Sequence, residues 1–203
     1  MITLSDRLGE GQDLPGAVYV TTRGPWHFTR QLSLQGPYVD EFFALYELAF
    51  NPLKKLSVAR QVLSRAEFVD QMLDERVVKY VAWSDSGEPM GLTTLTTELD
   101  SVPWISPDYF EEHYPEQWAR HAVYYLGFTL VHPSQRHSRF IETIVDVGMK
   151  EELVKNSVVA YDTCAFNNQT LRFNERISTV LEDLPEAHLE VIDTQIYACV
   201  TIA

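Results

Sequence analysis

The stretch over residues 124–153 constrains the fold most, because a short polar turn joins a strand-like run to a helix-like run. The first run, YYLGFTLVHP, is rich in aromatic and β-branched residues, which is typical of a buried strand. The last run, IETIVDVGMKEEL, places its apolar residues at helical spacing. The turn, SQRHSRF, carries Arg136 and Arg139. Because free N–H groups and the helix dipole favour an anion at a helix start, the stretch predicts a phosphate site. Solvated surface charge is the alternative for the two arginines.

The neighbouring patterns predict a mixed sheet. Residues 77–83 and 90–99 are strand-like runs on either side of a turn at 85–88, which predicts an antiparallel hairpin. A further strand at 157–164 follows the helix of the opening stretch, and a strand–helix–strand unit pairs its strands in parallel. We therefore expect an α+β fold with a mixed, twisted central sheet flanked by helices.

Weaker patterns complete the order of elements. Ser64 and Glu67 have the spacing of a capping box, which would divide a long helical pattern into two helices. The other expected elements are strands at 17–22 and 28–34, helical stretches at 42–50 and 57–76, a helix capped by Asn167 or Asn168, and one long or two short strands at 190–202.

The length of 203 residues predicts one domain over 1–203, with an N-terminal arm at 1–27 and an insertion at 101–120. The insertion, SVPWISPDYFEEHYPEQWAR, is rich in proline and aromatic residues and contains a helix start at Ser106-Pro107. Insertions of this length are often lids or binding loops. The alternative is a structural flap whose aromatic side chains plug one end of the sheet.

The charge and the apolar pattern exclude several classes of protein. A net charge of −13 opposes binding to nucleic acid and to anionic membranes. No apolar run approaches the ~18 residues of a membrane span, and the start of the chain lacks a signal-peptide pattern, which predicts a cytoplasmic protein. Cys164 and Cys199 fall in expected strands and are predicted to be buried apolar residues. No metal site is expected, because HxxxH and CxxC patterns are missing.

The order of elements and three short motifs resemble the GNAT superfamily of N-acetyltransferases. In that family a strand ends in valine followed one residue later by proline, as in Val131-His132-Pro133 here. A Gln/Arg-x-x-Gly-x-Gly/Ala turn then opens a helix, and residues 135–140 occupy that turn. After the next strand the family has Asn-x-x-Ala and then a tyrosine, with which residues 167–176 line up. The resemblance covers about residues 28–202 and is best over 122–176.

The resemblance implies a site for acetyl-CoA or another acyl-CoA. The pantetheine arm would run along the end of the strand as if it were another strand, and the pyrophosphate would lie on the N–H groups of the turn. Asn167 would lie beside the pantetheine. The implied donor-binding residues are Thr129, Leu130, Val131, Arg136, His137, Ser138, Arg139, Phe140 and Asn167.

Three positions depart from the family pattern. Ser138 and Phe140 stand where the turn has glycines, which let the backbone approach phosphate closely. Asn174 stands where the family has a tyrosine that protonates the leaving thiolate, and asparagine cannot act as an acid. These departures keep two alternatives open: a different donor such as an acyl carrier protein, or a non-catalytic binding module with this fold.

Three further residues are candidates for proton transfer. Glu98, at the end of the second hairpin strand, could deprotonate an ammonium group. Tyr124 and Tyr125 point to opposite faces of their strand, so one of them could replace the family tyrosine; Tyr124 is taken as the candidate. His121, beside the insertion, is a second candidate base, with a surface or core role as its alternative.

Together these features predict an acyltransferase that moves an acetyl group from acetyl-CoA to an amine of a small molecule. The exposed edge of the last strand could pair two subunits, so a homodimer is a possible assembly.

Overall fold

The structure is a computed structural model that describes residues 17–135, 139–182 and 186–202. Its centre is a six-stranded sheet whose strands follow one another in chain order. Each neighbouring pair is antiparallel except the last, which is parallel. The strands are β1 (Val18–Arg23), β2 (Trp26–Gln31), β3 (Val78–Trp83), β4 (Pro89–Thr96), β5 (Val123–Val131) and β6 (Val158–Ala160).

Helices cover both faces of this sheet. They are α1 (Pro37–Phe50), α2 (Leu53–Leu56), α3 (Arg65–Leu73), α4 (Pro107–His113), α5 (Pro115–Trp118), α6 (Phe140–Glu152), α7 (Ala165–Thr170) and α8 (Phe173–Leu181). The predicted fold class, a mixed sheet flanked by helices, is therefore confirmed, as are the β3–β4 hairpin and the parallel β5–β6 pair.

Two apolar clusters lie on opposite faces of the sheet, because successive strand residues point to opposite sides. Val81 packs with the buried faces of α1 and α3, whereas the adjacent Tyr80 packs with α6 and α8. A third cluster joins the insertion to the start of β5 through Phe110, Val123 and Tyr125. The insertion thus has an apolar anchor on the sheet, and it carries the two short helices α4 and α5.

The division of the long helical pattern is also confirmed. The backbone N–H of Glu67 donates to the Ser64 hydroxyl at 3.3 Å, and the N–H of Ser64 donates to the Glu67 carboxylate at 2.7 Å. This reciprocal capping starts α3 at Arg65.

A bulge in β5 changes the direction of its side chains. Thr93 of β4 pairs with Thr129 and Leu95 pairs with Leu126, so β5 has one extra residue between these pairs. As a result Leu126 packs on the α6 face, whereas Phe128 packs on the α1 face. Glycine is required within the bulge, since a Cβ on Gly127 would lie only 2.3 Å from the Thr94 hydroxyl.

Both ends of the chain differ from expectation. Of the predicted arm at 1–27, residues 1–16 lie outside the described residues, and Val18–Arg23 forms a strand instead of an irregular arm. The closing strand expected at 190–202 does not pair with any described strand, and the segment is extended and exposed. Cys199 is consequently exposed, not buried, while Cys164 is half-buried.

None of the helices in the described ranges has the length and apolar character needed to cross a membrane.

Candidate functional site

A gap opens beside β5 where its parallel partner leaves the sheet. β5 has nine residues, but β6 pairs only with Val123, Tyr124 and Tyr125. Beyond Ala160 the chain turns away into α7, so among the described strands none pairs with residues 126–131 on this side. Backbone groups along a free strand edge can accept an extended ligand as an added strand.

A polar cluster lies at the apex of this gap. The Tyr125 hydroxyl donates to the carboxylate of Asp162, which follows β6 by two residues. The indole N–H of Trp104, from the insertion, lies 2.8 Å from the Tyr125 oxygen and 3.1 Å from Asp162 Oδ1. Burial and, next, the nearby Asp162 carboxylate raise the pKa of Tyr125 above its ordinary value. Tyr125 therefore stays protonated at neutral pH and holds Asp162 in place.

A small pocket adjoins this cluster and contains two hydroxyls without partners. Thr94 Oγ1 and Ser101 Oγ are both buried and have no hydrogen-bond partner among the described residues. A buried polar group left without a partner costs about 1–3 kcal/mol, so these hydroxyls indicate a place for a polar ligand or water. The residues lining the pocket are Gln71, Val77, Thr94, Thr96, Ser101, Val102, Trp104, Tyr125 and Gly127.

The charge of this site is uncompensated. Within the described part of the chain, Asp162 accepts from Tyr125 and Trp104 but forms no ion pair. A carboxylate that is held by neutral donors beside unpaired hydroxyls suits an ammonium group. The site can therefore bind an amine and accept a proton from it.

Glu98 lies near the same pocket, although it does not line it. Its backbone N–H donates to the hydroxyl of Thr96, which is a lining residue, at 2.9 Å. Its side chain is exposed.

The two tyrosines at the start of β5 have different environments. Tyr124 lies on the α6 face, packed in the core, and its hydroxyl donates to the carbonyl of Glu152 at 2.9 Å. Tyr125 lies on the pocket face. The tyrosine that the structure brings to the pocket is thus Tyr125, and the candidate Tyr124 is separated from it by the sheet.

The candidate histidines lie at the surface. His121 is exposed in the turn before β5, with a φ of 53°. His113 is exposed at the end of α4, where its ring stacks on Tyr109 at a centroid distance of 4.1 Å. Neither histidine lines the pocket.

Three of the implied donor-binding residues lie on β5 beyond the apex. The Thr129 hydroxyl is 2.9 Å from that of Thr93 on β4, and Leu130 is fully buried on the α1 face. Val131 packs on the opposite face. Since these side chains are used within the protein, a ligand in the gap would contact the backbone of this strand.

The turn before α6 is described only in part, since Arg136, His137 and Ser138 lie outside the described residues. Arg139 is exposed, and its carbonyl accepts from the Thr143 hydroxyl at 2.8 Å. Phe140 is fully buried with its ring 4.7 Å from that of Trp26, edge to face. Its side chain therefore serves the core, and only its backbone could take part in a phosphate site.

Asn167 lies half-buried in α7, on the chain that leaves the sheet after β6. Nearby, Asn174 of α8 accepts a hydrogen bond from the Tyr161 hydroxyl at 2.9 Å, and its N–H donates to Asn168 at 3.2 Å. Burial raises the pKa of Tyr161 to about 12. A tyrosine hydroxyl thus reaches the side chain of Asn174, where the family pattern has a tyrosine.

Sequence reasoning missed Trp104 and Asp162 as site residues. Asp162 fell within an expected strand, SVVAYDTC, and a carboxylate in such an apolar run was the available signal. Trp104 is 58 residues away from Asp162, and no local pattern joins the two.

No protein-family model matches the sequence, and no curated protein matches it. Among solved structures, an aminoglycoside acetyltransferase from an uncultured soil metagenomic sample, in complex with sisomicin, is 10% identical over 86% of this chain and 97% of that chain, with a TM-score of 0.49. An integron cassette protein from the mobile metagenome of V. cholerae is 12% identical over 88% and 94%, with a TM-score of 0.49. An aminoglycoside N-acetyltransferase in complex with CoA is 13% identical over 88% and 99%, with a TM-score of 0.46. Likenesses at these scores say nothing about the activity of this chain.

Proposed function

We propose that the chain is an N-acyltransferase that moves an acyl group, most simply acetyl, from acyl-CoA to an amine of a small molecule. The observation that carries this proposal is the gap beside residues 126–131 with the polar pocket at its apex. A thioester arm bound along the strand edge would end beside a carboxylate that lacks a cation.

On the donor side, the amide groups of a pantetheine arm would pair with the free edge of β5. A strand N–H near the bulge would polarise the thioester carbonyl, because fixed backbone donors stabilise a developing oxyanion. The bulge at Gly127 supports this role, since bulges redirect backbone groups beside active sites.

On the acceptor side, an ammonium group would bind between Asp162 and the hydroxyls of Thr94 and Ser101. Asp162 would take one proton from it, directly or through water. Glu98, near the pocket mouth, would serve as a second acceptor for that proton.

The transfer itself balances with groups of this chain. The amine nitrogen attacks the thioester carbonyl carbon, the C–S bond breaks, and the thiolate leaves. Asp162 holds the proton that the amine loses, and we assign the proton that the thiolate gains to Tyr161, which Asn174 orients. Its raised pKa keeps Tyr161 protonated at neutral pH.

Thermal unfolding of the full chain with millimolar CoA or acetyl-CoA tests the donor site. A site with a micromolar dissociation constant should add about 4 kcal/mol of stability at 1,000-fold excess. Arg136→Glu should abolish this gain, and Arg23→Glu, in the exposed part of the β1–β2 hairpin, should keep it. No stabilisation by either compound contradicts the proposal.

A thiol-release assay with a panel of small amines tests the transfer. Turnover with acetyl-CoA is expected for at least one amine. Binding of CoA without turnover of any amine would favour a non-catalytic binding module, and turnover with only a carrier-protein thioester would favour a different donor.

A further inference from the structure

The last twelve residues have the pattern of a strand with one apolar face. Along VIDTQIYACVTI, the apolar residues Ile192, Ile196, Val200 and Ile202 recur at even positions, alternating with a more polar set that includes Asp193 and Gln195. This period of two with β-branched residues is typical of a strand that buries one side. We call residues 191–202 the tail.

The tail buries none of this face within its own chain. Ile196, Val200 and Ile202 are 84%, 89% and 91% exposed. The tail is extended, and no strand of the described residues pairs with it. A strand pattern with every backbone group and every apolar side chain in water is incomplete, because such a segment requires a partner edge.

The tail starts beside an edge of the sheet that is open. Leu189 packs in the cluster that contains Val159 of β6 and Tyr161. The Tyr114 hydroxyl, from the third apolar cluster, reaches the Glu190 carboxylate at 3.4 Å. β6 is the last strand of the sheet, and its outer side is unpaired in the described part of the chain. The tail therefore leaves the protein at the edge that lacks a neighbour.

We propose that two copies of this chain exchange their tails, each tail adding as a strand to the β6 edge of the other copy. The point of departure and the accepting edge coincide, so two copies that face each other across a two-fold axis satisfy both tails and both edges. Reciprocal contacts of this kind close, and no edge is left for further copies to join.

The size of the contact fits a second copy. An extended tail of this length spans about 40 Å, several times the length of the three-residue β6 strand. It would therefore lie across the neighbouring surface of the partner as well as along the edge. Two such tails with the surfaces that they cover approach the ~800 Å² per partner that stable interfaces bury. Because each copy carries a net charge of −13, salt should tighten the dimer by screening the repulsion.

Sedimentation of the full-length chain tests this proposal. A mass of two chains is expected, with tighter association in 0.5 M than in 0.05 M salt. Ile196→Asp and Val200→Asp should each weaken association at least tenfold. The matched control is Val58→Asp, at a side chain that is 79% exposed in the loop after α2, and it should leave the dimer intact.

Hydrogen exchange identifies the role of the tail. Tail amides should exchange at least 100-fold more slowly in the dimer than in Ile196→Asp, together with the outward amides of β6. A monomer overturns the proposal, whether its tail is unprotected or folds back on its own β6 edge. A dimer with an unprotected tail overturns it too, because another surface would then hold the two copies together.

Discussion

Two clusters of the molecule pair a tyrosine with a carboxylate, and they differ by one positive charge. On the α6 face, Glu152 accepts from the Tyr80 hydroxyl at 2.8 Å and from the Arg30 guanidinium. On the pocket face, Asp162 accepts from Tyr125 and Trp104. We call them the α6 cluster and the pocket cluster. Only the α6 cluster has a cation among the described residues.

The difference separates a structural role from a binding role. Glu152 is the last residue of α6, and its contacts fasten the end of that helix to β2 and β3. Its hydrogen bonds and its charge are both matched within the protein. The pocket cluster has its hydrogen bonds but lacks its counter-charge, and it adjoins two unpaired hydroxyls. A carboxylate left in this state is suited to a cationic ligand.

The largest expected effect is on the pocket cluster. Asp162→Asn keeps an acceptor for Tyr125 but removes the charge and the base, so kcat/KM for the amine should fall about 10²- to 10⁴-fold. Stabilisation by CoA should be unchanged. Asp100→Asn, at an exposed aspartate in the turn after β4, is the control and should retain full activity. Equal activity in both variants would remove Asp162 from the mechanism.

The α6 cluster should respond in stability instead. Glu152→Ala leaves Arg30 and Tyr80 without their partner and should lower the free energy of unfolding by about 2 kcal/mol. Urea unfolding measures this loss, and Glu111→Ala, exposed on α4, should change stability by no more than ~0.5 kcal/mol. If Glu152→Ala left stability unchanged while abolishing transfer, the roles of the two clusters would be reversed.

A buried cation without a carboxylate gives the opposite case. Lys79 is fully buried, and its ammonium donates to the carbonyls of Leu32 and Asp74 at 2.8 and 2.6 Å. Burial lowers the pKa of Lys79 to about 8. Above pH 8 the folded protein has lost a proton that the unfolded chain keeps up to about pH 10.4, so stability should rise with pH in this window.

Between pH 8 and 9.5 this rise should reach about 1 kcal/mol, less than the full pKa shift gives because nearby solvent screens the charge. Urea unfolding at each pH measures it, and Lys79→Met should flatten the curve. A wild-type stability that falls across the window would contradict the lowered pKa.

The smallest effect compares two neighbouring threonines. Thr93 shares a hydrogen bond with Thr129, whereas the Thr94 hydroxyl has no partner among the described residues. Thr93→Val should destabilise the protein by about 1 kcal/mol, while Thr94→Val should be neutral or slightly stabilising and should raise KM for the amine. Thermal unfolding and amine titration of both variants check this contrast. A loss of stability in Thr94→Val as large as in Thr93→Val would show that its hydroxyl is satisfied by the protein.

Much of the fold could be predicted because its signals are local. The capping pair Ser64 and Glu67 lies three residues apart, and the β3–β4 hairpin needs one short turn. The pocket could not be predicted, because Trp104 and Asp162 meet only after the insertion folds against the sheet. Alternation showed that Tyr124 and Tyr125 point apart, but which face holds a pocket depends on tertiary packing. The tail has a strand pattern without a partner in its own chain, so its sequence alone could not fix its position.

The packing of Phe140 has a consequence for how a donor could enter. Its ring lies against Gly91, where a Cβ would be only 2.5 Å from a ring carbon, so the first residue of α6 is locked onto β4. A helix start that is fastened in this way cannot move outward to follow an arriving ligand. We therefore expect donor binding to proceed as docking onto a preformed surface, with little ordering cost at this residue and an association rate that varies little between donors.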